Sequence, residues 1–211
     1  MNIQQYLQIH FPNSPFEPPL FYNIPFGIRF ELGVPYRSVD DPKYLHTVLL
    51  RSTMLFDEVF NDYEEFFIVV EKFRCVESFE PFNQGIDVFP TFLIDKKLMR
   101  DVHCFKTEEI FENDGQLIGV IDYVKLRVLK RDLNYKGILK AIGNQDFLIR
   151  PYVKDRVFFI EPRKNIIYHM YDDRGLDVVS DNKEALEPLF TKFNSWILDY
   201  DREEIEKTFK K

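Results

Sequence analysis

The stretch that decides the fold runs from Asn165 to Arg202. It opens with Asn-Ile-Ile-Tyr-His-Met-Tyr-Asp-Asp-Arg-Gly-Leu-Asp-Val-Val-Ser (165–180) and closes with Trp-Ile-Leu-Asp-Tyr-Asp-Arg (196–202). Apolar and aromatic residues at Ile166–Tyr171 and Leu176–Val179 predict two strands, because such residues favour the pleated sheet. Asp172–Gly175 lies between them, with Asp at the first and Gly at the last position of a turn. The sequence here predicts a β-meander.

The residues around this meander extend it on both sides. Arg156–Ile160 predicts a preceding strand, joined to the meander by the five-residue hairpin loop 161–165. Downstream, Asp181 and Glu184 resemble a capping box and predict the start of a long amphipathic helix. Pro188 predicts a kink or a separate first turn in that helix. Its predicted apolar stripe comprises Leu186, Leu189, Phe190, Phe193, Ile197 and Tyr200.

The rest of the chain supplies further strands and helices. Strands are predicted at Gly27–Leu32, Glu65–Arg74 and Gly119–Lys130, and helices at Asn2–His10, Pro42–Phe60 and Asn134–Gly143. Residues 77–114 show little pattern beyond a short element at Leu98–Phe105. This order predicts an α+β fold with a largely antiparallel sheet and helices packed on one face. The strand–helix–strand order of residues 28–74 also suggests one parallel pair.

Residues 1–26 are expected to form an arm that packs on a single α+β domain spanning residues 27–211. Several prolines between Pro12 and Pro25 exclude regular structure there, whereas the interleaved aromatic residues argue against a disordered linker. In the first helix of the arm, Tyr6, Leu7 and Ile9 are predicted to face inward.

The composition of the 211 residues limits the function classes. The net charge of −7 disfavours binding to nucleic acid or to an anionic membrane, both of which need basic patches. The two cysteines, Cys75 and Cys104, exclude a disulfide scaffold. The N-terminus lacks the pattern of a signal peptide, and the chain has no apolar run long enough to cross a membrane, so we expect a cytoplasmic protein.

Known catalytic patterns are missing from the sequence. The four histidines are scattered, no Gly-x-Ser-x-Gly motif occurs, and no glycine-rich phosphate loop is found. We therefore predict no metal, no cofactor and no catalytic residue, and favour a protein that is not an enzyme.

Charged and aromatic residues of the C-terminal stretch are the candidate binding residues. The carboxylates could bind Mg²⁺ or Ca²⁺ or serve in acid–base chemistry, but the two arginines can equally pair with them and fix the turn against the helix. Trp196 at the edge of the helical stripe, with Tyr200, could anchor a partner. The candidates are Tyr171, Asp172, Asp173, Arg174, Trp196, Asp199, Tyr200, Asp201 and Arg202.

Two of these motifs, Tyr171–Gly175 and Trp196–Arg202, resemble the signature of domain-of-unknown-function family 3885 of Bacillus-type bacterial proteins. The resemblance extends over Val157–Phe209 and, more weakly, over Gly27–Phe73, whereas the arm and the middle of the chain are not matched. It implies a small bacterial cytosolic protein. Members are similar in size and acidity to the immunity proteins of polymorphic toxins. This similarity is an analogy and does not identify a functional site.

Two functional hypotheses follow. The first is a non-catalytic interaction protein, for example an immunity-type protein whose partner is a basic toxin or another protein encoded nearby; a homodimer is an alternative. The second is a small-ligand or metal-dependent enzyme that uses the carboxylate and arginine cluster of the last turn and the last helix.

Overall fold

The computed structural model describes residues 3–12, 16–36, 38–60, 65–75, 85–112, 114–147 and 149–210. Within these ranges, seven strands form one sheet in the order β1-β7-β6-β5-β2-β4-β3. The strands are β1 (Phe26–Glu31), β2 (Glu65–Cys75), β3 (His103–Phe111), β4 (Leu117–Leu129), β5 (Arg156–Glu161), β6 (Ile166–Met170) and β7 (Gly175–Ser180).

Every neighbouring pair of strands in this sheet is antiparallel. The α+β class and the meander β5-β6-β7 are therefore confirmed. The expected parallel pair is wrong, because β7, β6 and β5 lie between β1 and β2.

Seven α-helices accompany the sheet in the described residues. They are α1 (Ile3–His10), α2 (Leu20–Asn23), α3 (Tyr44–Val59), α4 (Val88–Phe92), α5 (Tyr135–Gly143), α6 (Glu187–Lys192) and α7 (Arg202–Phe209). None of the helices in the described ranges has the length and apolar character that a membrane span requires.

Both faces of the sheet are covered by apolar residues. On β2, Phe66, Ile68 and Val70 belong to one buried cluster, whereas Phe67 and Val69 belong to a second cluster on the other face. Successive side chains of a strand point to opposite faces, so this unbroken apolar run requires cover on both sides.

The two faces are covered by different parts of the chain. Helices α3 to α7 contribute buried residues to the first cluster, so the prediction that helices pack on one face holds for these five. Helices α1 and α2 cover the second face. The expectation that the proline-rich stretch has no regular structure is wrong at Leu20–Asn23, where α2 begins directly after Pro19. Within α1, Ile3 is buried with Tyr6 and Leu7, whereas Ile9 is exposed, contrary to prediction. Pro15 and Asn2 lie outside the described residues.

The predicted long C-terminal helix is wrong. A 3-10 turn at Lys183–Ala185 precedes α6, and two more 3-10 turns, Asn194–Trp196 and Asp199–Asp201, separate α6 from α7. Pro188 lies in the first turn of α6, as predicted by the alternative of a separate first turn. Asn182, and not Asp181, caps the first of these turns by accepting from the Glu184 backbone N–H.

Pairing with the edge of the sheet breaks this helix. Ile197 forms a bridge with Phe30 of β1, and the Leu198 N–H donates to the Arg29 carbonyl over 2.9 Å. Ile197 and Leu198 have extended ψ angles of 131° and 122°. We call residues 194–201, which connect α6 to α7, the C-terminal segment. The segment therefore protects the β1 edge, which an uninterrupted helix would leave unpaired.

Candidate functional site

The turn between β6 and β7 holds the first four predicted site residues. The Arg174 backbone N–H donates to Asp172 Oδ1 over 2.7 Å, and Arg174 Nε donates to Oδ2 over 2.8 Å. Arg174 Nη2 also contacts Oδ2. A Cβ atom at Gly175 would overlap the Tyr171 hydroxyl, so glycine is needed where this ring folds over the turn. Asp172 thus accepts several hydrogen bonds from within its own turn.

Asp173 connects the same turn to helix α3. Its Oδ2 atom accepts a short hydrogen bond from the Tyr44 hydroxyl, and the pair is buried. Burial raises the pKa of the Asp173 carboxyl, and the bond from Tyr44 opposes that rise. The turn is therefore fixed against α3, and not against the C-terminal segment as predicted.

Three carboxylates meet at this turn. One oxygen from each of Asp146, Asp172 and Asp173 lies within 4.8 Å of the others. An all-oxygen set of this kind suits Mg²⁺ or Ca²⁺. However, Asp172 already accepts from Arg174 and Asp173 from Tyr44, so a cation would have to compete with both bonds.

Asp201 belongs to a different network, which centres on Arg29 of β1. Arg29 Nη1 donates to Asp201 Oδ2 over 3.2 Å, and the Tyr22 hydroxyl donates to Oδ1 over 2.8 Å. Arg29 Nε donates to Asp177 Oδ1 over 3.0 Å. Asp177 Oδ2 accepts from the Phe21 backbone N–H. This network attaches the C-terminal segment and α2 to the sheet.

Arg202 makes mostly local contacts. Its guanidinium donates to the carbonyls of Asn194 and Ile197 over 3.2 and 2.9 Å and to Asp199 Oδ1 over 3.0 Å. Arg202 therefore caps the preceding turns. The predicted acids do not form one cluster, because Asp172 and Asp173 attach to one part of the fold and Asp201 to another.

A cavity of about 540 Å³ lies between the turn and the C-terminal segment, although Asp172, Asp173 and Asp201 are not among its lining residues. Arg174 borders it from the turn, Asp199 from the C-terminal segment, and Tyr44 from α3. The loop between β1 and α3, residues 33–36, forms another wall.

Asp199, which borders this cavity, and its neighbour Tyr200 are exposed, whereas Trp196 is half-buried against the first cluster. Tyr200 is 85% exposed, and the Asp199 side chain is 89% exposed. Trp196 packs beside Phe193, with ring centroids 4.9 Å apart, and the Arg51 guanidinium lies over the indole ring at 5.0 Å. Aromatic and acidic groups are thus presented together on this surface.

Several members of these networks are missing from the sequence-based candidates. They are Tyr22, Arg29, Tyr44, Asp146 and Asp177. Asp177, a charge inside the apolar run of β7, was the signal that could have indicated a buried cationic partner.

Most of the chain matches a known family. The family described as Domain of unknown function (DUF3885) matches residues 3–201. The chain belongs to this family. The sequence-based resemblance is confirmed, and the match also includes the arm and the middle of the chain, which that resemblance left out.

One relative spans almost the whole chain. The Uncharacterized protein YnaE of Bacillus subtilis (strain 168) is 26% identical over 211 residues, which cover 95% of this chain and 99% of that protein. The family is thus present in a bacterium. No solved structure matches the chain.

Proposed function

We propose that this member of DUF3885 is a cytoplasmic, non-catalytic interaction protein, of the immunity type, that binds a basic protein partner. One observation carries the proposal: the acids best placed for chemistry, Asp172 and Asp173, are engaged by Arg174 and Tyr44. Tyr200, by contrast, is 85% exposed.

The proposed contact area is the Tyr200 surface, which we define as residues 34–36, Trp196, Asp199 and Tyr200. Exposed aromatic side chains supply binding energy at low entropic cost, and Tyr and Trp dominate interface hot spots. Asp199 and the overall charge of −7 would attract a basic partner and speed its association.

The test uses the purified product of the neighbouring gene and isothermal titration calorimetry. Tyr200→Ala is expected to weaken binding by at least about tenfold while the thermal unfolding temperature is unchanged. Ile94→Ala is the control, because Ile94 is also exposed but is not part of the Tyr200 surface; its backbone N–H donates to the Asp132 carbonyl. If the neighbour's product neither binds nor is neutralised, the proposal fails.

Salt dependence supplies a second readout. Binding that is steered by the acidic surface should weaken as ionic strength rises, chiefly through a slower association rate. Size-exclusion chromatography of the protein alone tests whether it also forms a homodimer.

A second candidate function is small-ligand or metal-dependent chemistry at the cavity between Arg174 and Asp199. The cavity of about 540 Å³ favours a small ligand, and the carboxylates of Asp146, Asp172 and Asp173, which are not among its lining residues, favour a cation at the neighbouring turn. Mg²⁺ or a phosphorylated metabolite should then raise the unfolding temperature by mass action. Asp173→Ala should abolish that shift and leave the fold intact; a variant that only loses stability would instead mark Asp173 as structural.

A further inference from the structure

A second cavity lies on the sheet face that the arm covers, and none of the predicted site residues lines it. Its volume is about 330 Å³. Glu71 of β2, Tyr123 of β4 and Lys106 and Glu108 of β3 line it, together with Arg156 of β5. We call this space the Glu71 cavity.

Glu71 is the unusual group in this cavity. It is only 6% exposed, although its charge belongs in water. Its Oε1 atom accepts from Arg156 Nη1 over 2.8 Å, and the two residues are register partners on β2 and β5. Its Oε2 atom is buried and has no hydrogen-bond partner among the residues that the structure describes. Leaving such an acceptor unpaired is costly, so a donor from a bound molecule would stabilise the Glu71 carboxylate.

The second carboxylate of the cavity is already satisfied. Glu108 Oε2 accepts from the Tyr123 hydroxyl over 2.9 Å, and Oε1 pairs with the Lys106 ammonium. An ammonium has three N–H donors and a guanidinium has five. Lys106 and Arg156 can therefore hold an anionic group while they keep these internal pairs.

The charges around the cavity limit what it can hold. Three carboxylates, Glu17, Glu71 and Glu108, face two cations, Lys106 and Arg156. The two cations disfavour a bare metal ion, and the three carboxylates disfavour a phosphate or another multivalent anion. A molecule with one positive and one negative end fits this mixture.

We propose that the Glu71 cavity binds a small zwitterion of the α-amino-acid class. Its ammonium group pairs with the Glu71 carboxylate, and its carboxylate faces Arg156 and Lys106. Phe16 and Ile121, the apolar lining residues, contact its side chain. The volume lies at the lower end of the range for small-molecule sites, which matches a ligand of this size.

The protonation state of Glu71 should control this binding. Burial raises the pKa of its carboxyl, and Glu108 adds to the rise, while Arg156 and Lys106 oppose it. Only the ionised carboxylate attracts an ammonium group strongly. Affinity for the amino acid should therefore increase as pH rises through the elevated pKa.

The experiment is calorimetric titration of the full chain with the proteinogenic L-amino acids up to about 10 mM. The tightest of them is then compared with its N-acetyl and methyl-ester derivatives. Both derivatives should bind at least about tenfold more weakly, because each removes one of the two charges. This part of the experiment uses only the wild-type protein.

Variants assign the binding to the cavity. Glu71→Gln, which keeps the shape and removes the charge, should weaken binding by at least about tenfold without lowering the unfolding temperature. Lys106→Met should weaken the amino acid more than its methyl ester. Glu109→Gln is the control, because Glu109 is exposed and its side chain lies on the opposite face of β3 from Glu108. The absence of binding by any amino acid overturns the proposal, and so does binding that Glu71→Gln leaves unchanged.

Discussion

Arg29 and Asp177 are paired in two ways at once. They are register partners on the antiparallel strands β1 and β7, and Arg29 Nε donates to Asp177 Oδ1 over 3.0 Å. The Asp177 side chain is 0% exposed. Burial raises the pKa of the Asp177 carboxyl, and Arg29 opposes that rise by stabilising its charge. The pair makes a charged residue acceptable inside the second face of the sheet.

Removal of the cation alone should therefore be severe. Arg29→Met leaves Asp177 buried without its counter-charge and also removes the contact to Asp201, so we expect a loss of about 3–5 kcal/mol in unfolding free energy. Urea denaturation monitored by circular dichroism measures the loss. Arg100→Met is the control, since Arg100 and Asp101 form an exposed pair worth about 0–1 kcal/mol. Equal effects of the two variants would contradict the role assigned to Arg29.

The bond between Tyr44 and Asp173 gives the next prediction. Tyr44→Phe removes the hydroxyl that donates to Asp173 Oδ2 and keeps the ring, so the buried carboxylate loses a donor. The expected loss in unfolding free energy is about 1–3 kcal/mol. Tyr36→Phe is the control, because Tyr36 is partly exposed and, like Tyr44, lines the cavity of about 540 Å³. If Tyr44→Phe left stability unchanged, Asp173 would be free to bind a ligand, and the second candidate function would gain support.

Local patterns predicted most of the elements. Helix α5 was expected at Asn134–Gly143, and the Asn134 side chain does cap it by accepting from the Gly137 N–H. Cap residues and apolar periodicity act within a few residues, so one sequence suffices to find them.

The C-terminal segment shows where local patterns are insufficient. Ile197 has the spacing of a helical stripe, yet it bridges Phe30, which is far away in the sequence. Tertiary pairing with the open edge of β1 outweighs the helical pattern there.

Part of the candidate site was predicted, because local patterns group residues that are neighbours in the sequence. Asp172, Asp173 and Arg174 stand next to one another in the sequence, so their grouping was visible. Arg29 is not among the candidates, because the alternation in β1 assigns it to a solvated face, and that face is buried only by distant parts of the chain, the arm and the segment around Asp201. Its partner Asp177 lies 148 residues away, and the register that joins the two strands cannot be read from either strand alone.

Helix α1 offers a matched pair of substitutions for the arm. Leu7 is 6% exposed in the second buried cluster, whereas Ile9, two residues later, is 66% exposed. Leu7→Ala should cost about 2–5 kcal/mol of unfolding free energy, and Ile9→Ala should stay within about 0.5 kcal/mol of wild type. Chemical denaturation of both variants measures their unfolding free energies. Similar values for the two would mean that the arm does not contribute to the folded core.

His169 on β6 should make the free energy of unfolding sensitive to acid. The ring is buried, stacks on Phe158 at 4.3 Å, and Nδ1 lies 3.0 Å from the Val157 carbonyl. Burial lowers the pKa of His169 to about 4; Arg156 also lowers it, while Asp172 and the Val157 carbonyl oppose the change.

The sign of the pH effect follows from the two states of the chain. Below about pH 6.5 the unfolded chain binds a proton at His169, whereas the folded chain stays neutral until about pH 4. Stability should thus fall as pH falls through this window, by up to about 1.4 kcal/mol per pH unit. His169→Gln cannot be protonated and should lack this term. Asp155, whose pKa burial raises to about 6, acts in the opposite direction in both proteins and cancels in the comparison. Urea denaturation of wild type and variant from about pH 7 to pH 4.5 measures the difference, and a difference that stays constant over this range would mean that His169 is not held neutral in the folded protein.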